Sequence, residues 1–405
     1  MAFNYGGLVE KSIVAEGVEG KVVVVYGGNN LGKSSQLAKA NGVVFLPFES
    51  NALNAVGGTS KLPVSDYATF KDFVESMKSD KIKLEQLRSS LDRKTLRFEK
   101  AKEDKDTSKD DIKDMEDGLV KIQNKIQDNS FLKFQNEHPI ICIDSITALD
   151  KSAEKFITDA YDVVELGDVA HGKLYKRFEN EFYHCINDFL NLGFTYFFTA
   201  HAILGDGDTV ILDDEGEKVQ KLYPKGTWKR VVKPIIDRSD IIVYLKSNGV
   251  DENGDVIPSS GYLRETKEYF ARSKWDNMAN FIEVFTYDNL VKVIDEAIAE
   301  QKKNGVNVGS FKQQQKNISD RQGEDHKVLI DEIGNLVKKV IYKHDKDIDG
   351  VNMLRYQQVV YEILGDEKTV SDCTAKQIDH LKNILSQTKD IVDTLEDIDN
   401  KKETE

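Results

Sequence analysis

Three short apolar runs interrupt a chain whose other hydrophobic positions mostly recur at helical spacing. They are KVVVVY at 21–26, VVFLPF at 43–48 and PIICI at 139–143. Continuous β-branched runs of this length, without alternation of apolar and polar positions, predict strands covered on both faces, as in a parallel sheet. Leu31–Ala40 has helical composition, an amphipathic helix is predicted from about Asp66, and Lys173–Asn191 predicts a helix packed back on the sheet. Ile241–Leu245 and Gly261–Lys274 predict further strands, with the turn-rich DENGD between them.

Residues 80–130 follow a different pattern. Leu84, Leu87, Leu91, Phe98 and Ala101 fall at heptad spacing, and Ile112, Met115, Leu119, Ile122 and Ile126 alternate steps of three and four. With the polar break KEDKDTSKDD between them, the two stripes predict an antiparallel coiled-coil hairpin inserted in a larger domain, each arm about 30 Å long. The polar stretch 296–325 reads as a linker. Beyond it, Val328, Leu329, Ile333, Leu336, Val340 and Ile341 form a stripe, and Met353–Leu364 and Ala375–Val392 form two more. The expected organisation is a core over 1–295, the linker, and a small helical C-terminal domain over 326–405 ending in the acidic tail TLEDIDNKKETE.

Composition narrows the class. The 405 residues carry 56 Lys+Arg against 70 Asp+Glu, a net charge of −14, so a nucleic-acid partner would need a local basic patch. The three cysteines, Cys142, Cys185 and Cys373, lack metal-ligand spacing and suit a reducing compartment. No basic leader precedes an apolar run, and no stretch reaches the about 18 apolar residues of a membrane span. A soluble cytoplasmic protein, with no membrane partner, is expected.

The chemistry begins at the end of the first strand. Gly27-Gly28-Asn29-Asn30-Leu31-Gly32-Lys33-Ser34, followed by Ser35, fits G-x-x-x-x-G-K-[ST] between a strand and a helix. Glycines let backbone N–H groups close on phosphate oxygens, Lys33 would reach the β- and γ-phosphates of ATP, and the Ser34 hydroxyl would ligate Mg²⁺. Asp144, delivered to the sheet edge by PIICI, is the second candidate metal residue. The next residue is Ser145, not a carboxylate. The base that orients water is therefore sought elsewhere, and Glu49, at the end of the second run, is the candidate.

Three segments together resemble the RecA-type recombinases: GGNNLGKSS their phosphate loop, VVFLPFESNAL the strand ending in a catalytic glutamate, and IICIDSITAL the metal strand. FTYFFTAHAI at 194–203 resembles their fourth strand, which puts His201 at the γ-phosphate sensor position; a purely structural role for His201 is the alternative. With KGTWKRVVKPIIDRSDIIVYL, the set is similar to phage RecA-like ATPases over residues 20 to about 285. The resemblance implies an α/β RecA-like P-loop NTPase core, a homo-oligomer stacked head to tail, and basic residues reaching a neighbour's site. The matching positions are Arg272 and Lys274. It also implies a DNA-binding loop near a predicted hairpin, TVILDDEGEKVQKLY. There Lys221, Lys225, Lys229 and Arg230 interleave with Tyr223 and Trp228, the mixture that single-stranded DNA binding uses.

The leading expectation is a Mg²⁺-dependent ATPase acting on single-stranded DNA in phage recombination or replication. A second is a nucleotide-gated assembly protein whose 80–130 arm or C-terminal helices bind protein partners. A small-molecule kinase ranks third, because no compact arginine-rich lid is evident.

Overall fold

The computed structural model describes residues 13–49, 56–103, 108–169, 172–205, 221–314, 326–346, 350–365 and 369–373, with shorter stretches between 377 and 395. The acidic tail beyond Leu395, most of the hairpin expected before Tyr223, and residues 315–325 of the expected linker lie outside these residues. The chain divides into two compact units, 1–311 and 312–405.

The first unit is built on a sheet whose strands, in chain order, are β2 (Val22–Gly27), β3 (Val43–Pro47), β4 (Ser60–Lys61), β5 (Ile140–Asp144), β6 (Thr195–Leu204), β7 (Leu222–Pro224), β8 (Ile241–Lys246), β9 (Ser260–Tyr262), β10 (Arg272–Ser273) and β11 (Phe281–Ile282). A separate parallel pair joins β1 (Val14–Ala15) to β12 (Val308–Gly309). The main order is β11-β9-β8-β2-β6-β5-β3-β4, with β7 beside β6 and β10 beside β8. From β8 through β2, β6, β5 and β3 to β4 all pairings are parallel. The strands beyond β8, together with β7 and β10, are antiparallel additions.

The valine run explains the layering. Every residue of β2 is buried, and successive side chains enter opposite layers. Val22, Val24 and Tyr26 join Ile141, Ile143 and Phe198 in one core, under helices α2 (Tyr67–Glu103), α5 (Ile146–Ala160), α6 (Lys173–Leu190) and α7 (Lys233–Arg238). Val23 and Val25 join Phe45, Cys142 and Phe197 in the other, under α1 (Lys33–Leu37) and α8 (Tyr287–Lys303). All three cysteines are buried thiols. Burial pushes the Cys142 thiol well above its usual range and that of Cys185 up to about 12.

Three expectations change here. The arm does not begin at residue 80: α2 is a single helix of 37 residues, about 55 Å at 1.5 Å per residue. Its first turns supply Tyr67, Phe70, Val74 and Met77 to the main core, and its later turns run beside α3 (Lys109–Gln127). Ser108 caps α3 by accepting from the Asp111 N–H, and α4 (Ser130–Glu137) returns the chain to β5. The break between a core helix and an arm, read from the sequence at about residue 80, does not exist because helical spacing is continuous through it.

The linker likewise starts later than residue 296. Ala297 and Ile298 of α8 are buried in the second core, and Phe311 closes over Gly20, where a Cβ would lie 2.1 Å from the ring. Third, Gly261–Lys274 is not one strand; β9 and β10 are separate, and in the segment between them the Glu268 carbonyl accepts from the Leu222 N–H of β7 while the Phe270 N–H donates to the Leu222 carbonyl.

The second unit is helical: α9 (His326–Leu336), a π-helical turn over Val337–Ile341, α10 (Tyr342–Asp345) and α11 (Val351–Leu364). Leu329, Ile333, Leu381 and Ile384 form one cluster, and Ile341, Met353, Ile391 and Leu395 another.

Candidate nucleotide site

The parallel strands deliver their carboxyl ends to one edge. Gly27 pairs with His201 and Pro47 with Asp144, so the phosphate loop, Asp144, Glu49 and His201 meet there by register. The chain leaves β2 through α1 for β3, skipping β6 and β5, and open α/β sheets bind ligands at such a switch point.

The loop needs its glycines. A Cβ at Gly27 would lie 2.6 Å from the Leu245 carbonyl oxygen of β8, so the backbones approach too closely for a side chain. Asn30 and Gly32 adopt left-handed conformations, with φ of 59° and 77°. Such residues turn neighbouring N–H groups into a concavity suited to an anion. Asn29 and Asn30 are exposed at its rim, while Leu31 packs on the second core and its carbonyl accepts from Ser259 Oγ at 2.8 Å. Ser35 Oγ turns back onto the Gly32 carbonyl at 3.2 Å. The Lys33 Nζ lies over the same loop, 2.7 Å from the Gly28 carbonyl and 3.5 Å from that of Gly27. Burial pushes its ammonium down, and Asp144 and Glu49 oppose that shift.

Behind the loop, Ser34 Oγ donates to Asp144 Oδ2 at 2.6 Å, and Thr199 Oγ1 donates to Oδ1. Burial pushes the Asp144 carboxyl up, while both hydroxyl bonds and Lys33 pull it down. A hydroxyl and a carboxylate are hard oxygen donors, and Mg²⁺ takes few protein ligands beside water and phosphate. Among the described residues no cluster of three or more acidic, histidine or cysteine groups offers a protein-only cage. The donor set therefore fits Mg²⁺ bound together with a nucleotide, through Ser34 and Asp144.

Glu49 sits beside this pair because the N–H groups of Phe48 and Glu49 both donate to the Asp144 carbonyl, at 2.8 and 3.2 Å. Its Oε1 accepts from Ser145 Oγ and lies 3.1 Å from His201 Nε2. The bond with His201, assisted by Ser145 and by the charges of His201 and Lys33, lowers the carboxyl to about 2 against the cost of burial. Ser145, which also caps α5, thus orients the glutamate that its position does not supply. A cleft of about 520 Å³ opens in front, lined among others by Asn29, Glu49, Thr147, Lys151, His201 and Lys225.

A family model described as an AAA domain matches residues 19–275, the span that contains all of these groups. The chain belongs to the AAA domain family. It is also 32% identical, over 383 residues that make up 94% of this chain and 96% of the relative, to the SPbeta prophage-derived uncharacterized protein YorG of Bacillus subtilis (strain 168). These residues thus lie within an AAA-type P-loop ATPase domain.

Other expected site residues of the AAA domain lie elsewhere. Arg272 Nη2 donates to the carbonyls of Ile236 and Ser239, and Lys274 pairs with Asp240 at 2.9 Å. Asp240 in turn accepts from the N–H of Val22, the first residue of β2. Both cations therefore lie at the amino edge of the sheet, opposite the phosphate loop of their own chain.

The basic and aromatic set over 221–230 is mostly turned inward, which corrects its reading as a base-stacking surface. Lys221 is buried and paired with Glu265. Tyr223 stacks on Phe270 with ring centroids 5.7 Å apart, and Trp228 meets both edge-on. The Arg230 guanidinium covers the ring of Tyr175 at 4.7 Å. Lys229 is exposed, and Lys225 faces the nucleotide cleft. Aromatic residues spaced by cations are equally good at closing a core and at holding bases, so the sequence did not separate the two.

Sequence reasoning missed Thr199, Thr147 and Asp150. Thr199 was detectable as the polar position in the apolar run TYFFTAH. Thr147 and Asp150 gave no signal, because their partners are backbone groups: Thr147 Oγ1 donates to the Lys225 carbonyl, and Asp150 accepts from the Thr227 N–H. Among the described residues no helix is long and apolar enough to cross a membrane.

Proposed function

We propose that this chain is a phage-type ATPase that hydrolyses ATP with Mg²⁺ and couples the cycle to single-stranded DNA in recombination or replication. The observation that supports hydrolysis is the alignment of Ser34, Asp144 and Glu49 at one strand edge, with Glu49 held as a carboxylate. The phosphate loop and Lys33 bind the phosphates, Asn29, Asn30 and Gly28 forming the rim. Bound Mg²⁺ would offset charge on the phosphate oxygens. Glu49 accepts a hydrogen bond from the attacking water and orients it, while His201 and Ser145 fix the carboxylate. His201 also links chemistry to the segment after β6, since its carbonyl accepts from the Lys225 N–H at 2.7 Å while its ring lies beside Glu49.

DNA as the partner, head-to-tail oligomers and the trans roles of Arg272 and Lys274 are supported by the RecA-like motifs, and phage origin by the prophage relative. A cytoplasmic location accords with the reduced cysteines. The deciding measurement is steady-state ATP hydrolysis with Mg²⁺, with and without single-stranded DNA. Stimulation by DNA that Lys33→Ala and Glu49→Gln both abolish is expected. Hydrolysis indifferent to DNA would remove DNA from the account and leave the ATPase.

A second reading, a nucleotide-gated scaffold, is favoured by one observation: α3 leaves Met115 and Val120 exposed, 40% and 47%, although its inner face already packs on α2. Loss of co-purifying protein partners on changing both residues to serine would support it.

A further inference from the structure

The nucleotide cleft contains a cation that the proposed ATPase machinery does not yet use. Lys225 lines the cleft with Glu49, His201 and Asn29, its side chain is exposed, and its ammonium makes no ion pair or hydrogen bond among the described residues. Its backbone, by contrast, is held on both sides. The Lys225 N–H donates to the His201 carbonyl at 2.7 Å, and its carbonyl accepts from Thr147 Oγ1 at 2.9 Å. Two residues on, the Thr227 N–H donates to Asp150 Oδ2 at 2.6 Å. Gly226 fits between because a Cβ there would lie 2.8 Å from Val232 Cγ2. Tyr223 and Trp228, packed on Phe270, fix the flanks. The main chain, pinned to β6 and α5, presents the exposed Lys225 to the cleft on a backbone bonded directly to that of His201, beside Glu49; Lys151 of α5 is the other lysine lining the cleft.

Arg272 and Lys274, the basic residues expected at the site, lie at the opposite edge of the sheet on partners of their own chain. We propose that Lys225 is a catalytic residue acting in cis, its ammonium binding the γ-phosphate oxygens as charge shifts during transfer. The inference rests on the ATPase reading. In the reaction the bond from the γ-phosphorus to the bridging oxygen breaks, with its electron pair leaving on ADP. The oxygen of the water oriented by Glu49 forms the new bond, and both of that water's protons leave with the product as dihydrogen phosphate. Lys225 supplies positive charge to the phosphate oxygens throughout, on a flexible four-carbon stem that follows them as they move.

The test compares Lys225→Ala, Lys225→Gln and Lys225→Arg with the unchanged protein, measuring single-turnover ATP hydrolysis and the binding of a fluorescent ATP analogue. Lys225→Ala and Lys225→Gln are expected to lose about 10²–10³-fold in rate while retaining nucleotide affinity, and Lys225→Arg to recover part of the rate. Mixing Lys225→Ala with Lys33→Ala separates cis from trans. Lys33→Ala subunits bring an intact Lys225, so recovered hydrolysis would overturn the cis assignment. An unchanged rate in Lys225→Ala would overturn the inference while leaving the ATPase reading intact, as would a loss confined to nucleotide affinity. Absence of hydrolysis by the unchanged protein would overturn the ATPase reading, and this inference with it.

Discussion

Glu49 shows how a single residue's environment sets what it can do. An exposed glutamate protonates near 4.5, but this one is held at about 2 by His201, Ser145 and the nearby ammonium of Lys33. Because the folded value is depressed, the carboxylate persists from neutral pH through the unfolded value, and its contribution disappears only as pH falls through about 2. The expected pH–rate profile therefore has no acid limb from Glu49 between pH 3 and 5. His201→Ala removes the largest cause of the depression, and its profile should gain such a limb, displaced upward. An identical profile in the two proteins would show that His201 does not hold the carboxylate. The motif residues Lys33, Ser34, Asp144 and Glu49 were legible in the sequence because strand, loop and helix must alternate in a fixed order to bring them together. Ser145 as the clamp on Glu49 was not legible, because a serine after the metal carboxylate signals only what it fails to be.

At the scale of elements, α2 shows what helical periodicity can and cannot tell. The heptad positions Leu84 and Leu87 look equivalent in sequence, yet Leu84 is 2% exposed within the main core while Leu87 is half-buried. Leu84→Ala should cost about 2–5 kcal/mol in denaturant unfolding, whereas Leu87→Ala should cost distinctly less. Equal losses would return the arm to an independent coiled coil. Phe98 and Ile122 of the stripe are both buried, and a seam of that kind needs only local spacing. It could not show that the same helix continues into the core, since that depends on Tyr67, Phe70 and Phe73 meeting the rings of Phe182, Phe189 and Phe134 from distant segments. For the same reason the aromatic residues at 223–228 were read as a surface: Phe270, which closes over them, is remote in sequence.

For the whole molecule, the unit boundary falls after Phe311, well beyond the start of the polar stretch. A chain ending at Asp295 would lose Ala297 and Ile298 from the second core, and with them β12 and Phe311. A chain ending at Lys312 is expected to bind nucleotide with unchanged affinity and to unfold cooperatively, while one ending at Asp295 loses stability or solubility. Full stability in the shorter chain would place the boundary at the end of the sheet. The last turn of α8 was hidden because QKKNG is polar from its first residue, although what stops the helix there is Gly305, in a left-handed turn just past its end. The three buried cysteines have a practical corollary. All are enclosed, and at least Cys142 and Cys185 stay protonated at neutral pH, so maleimides should ignore the native thiols of the folded protein. One cysteine introduced at the exposed Lys229 would then be the sole fast-reacting handle, allowing a fluorophore to follow the segment beside the cleft through a nucleotide cycle in an otherwise unaltered chain.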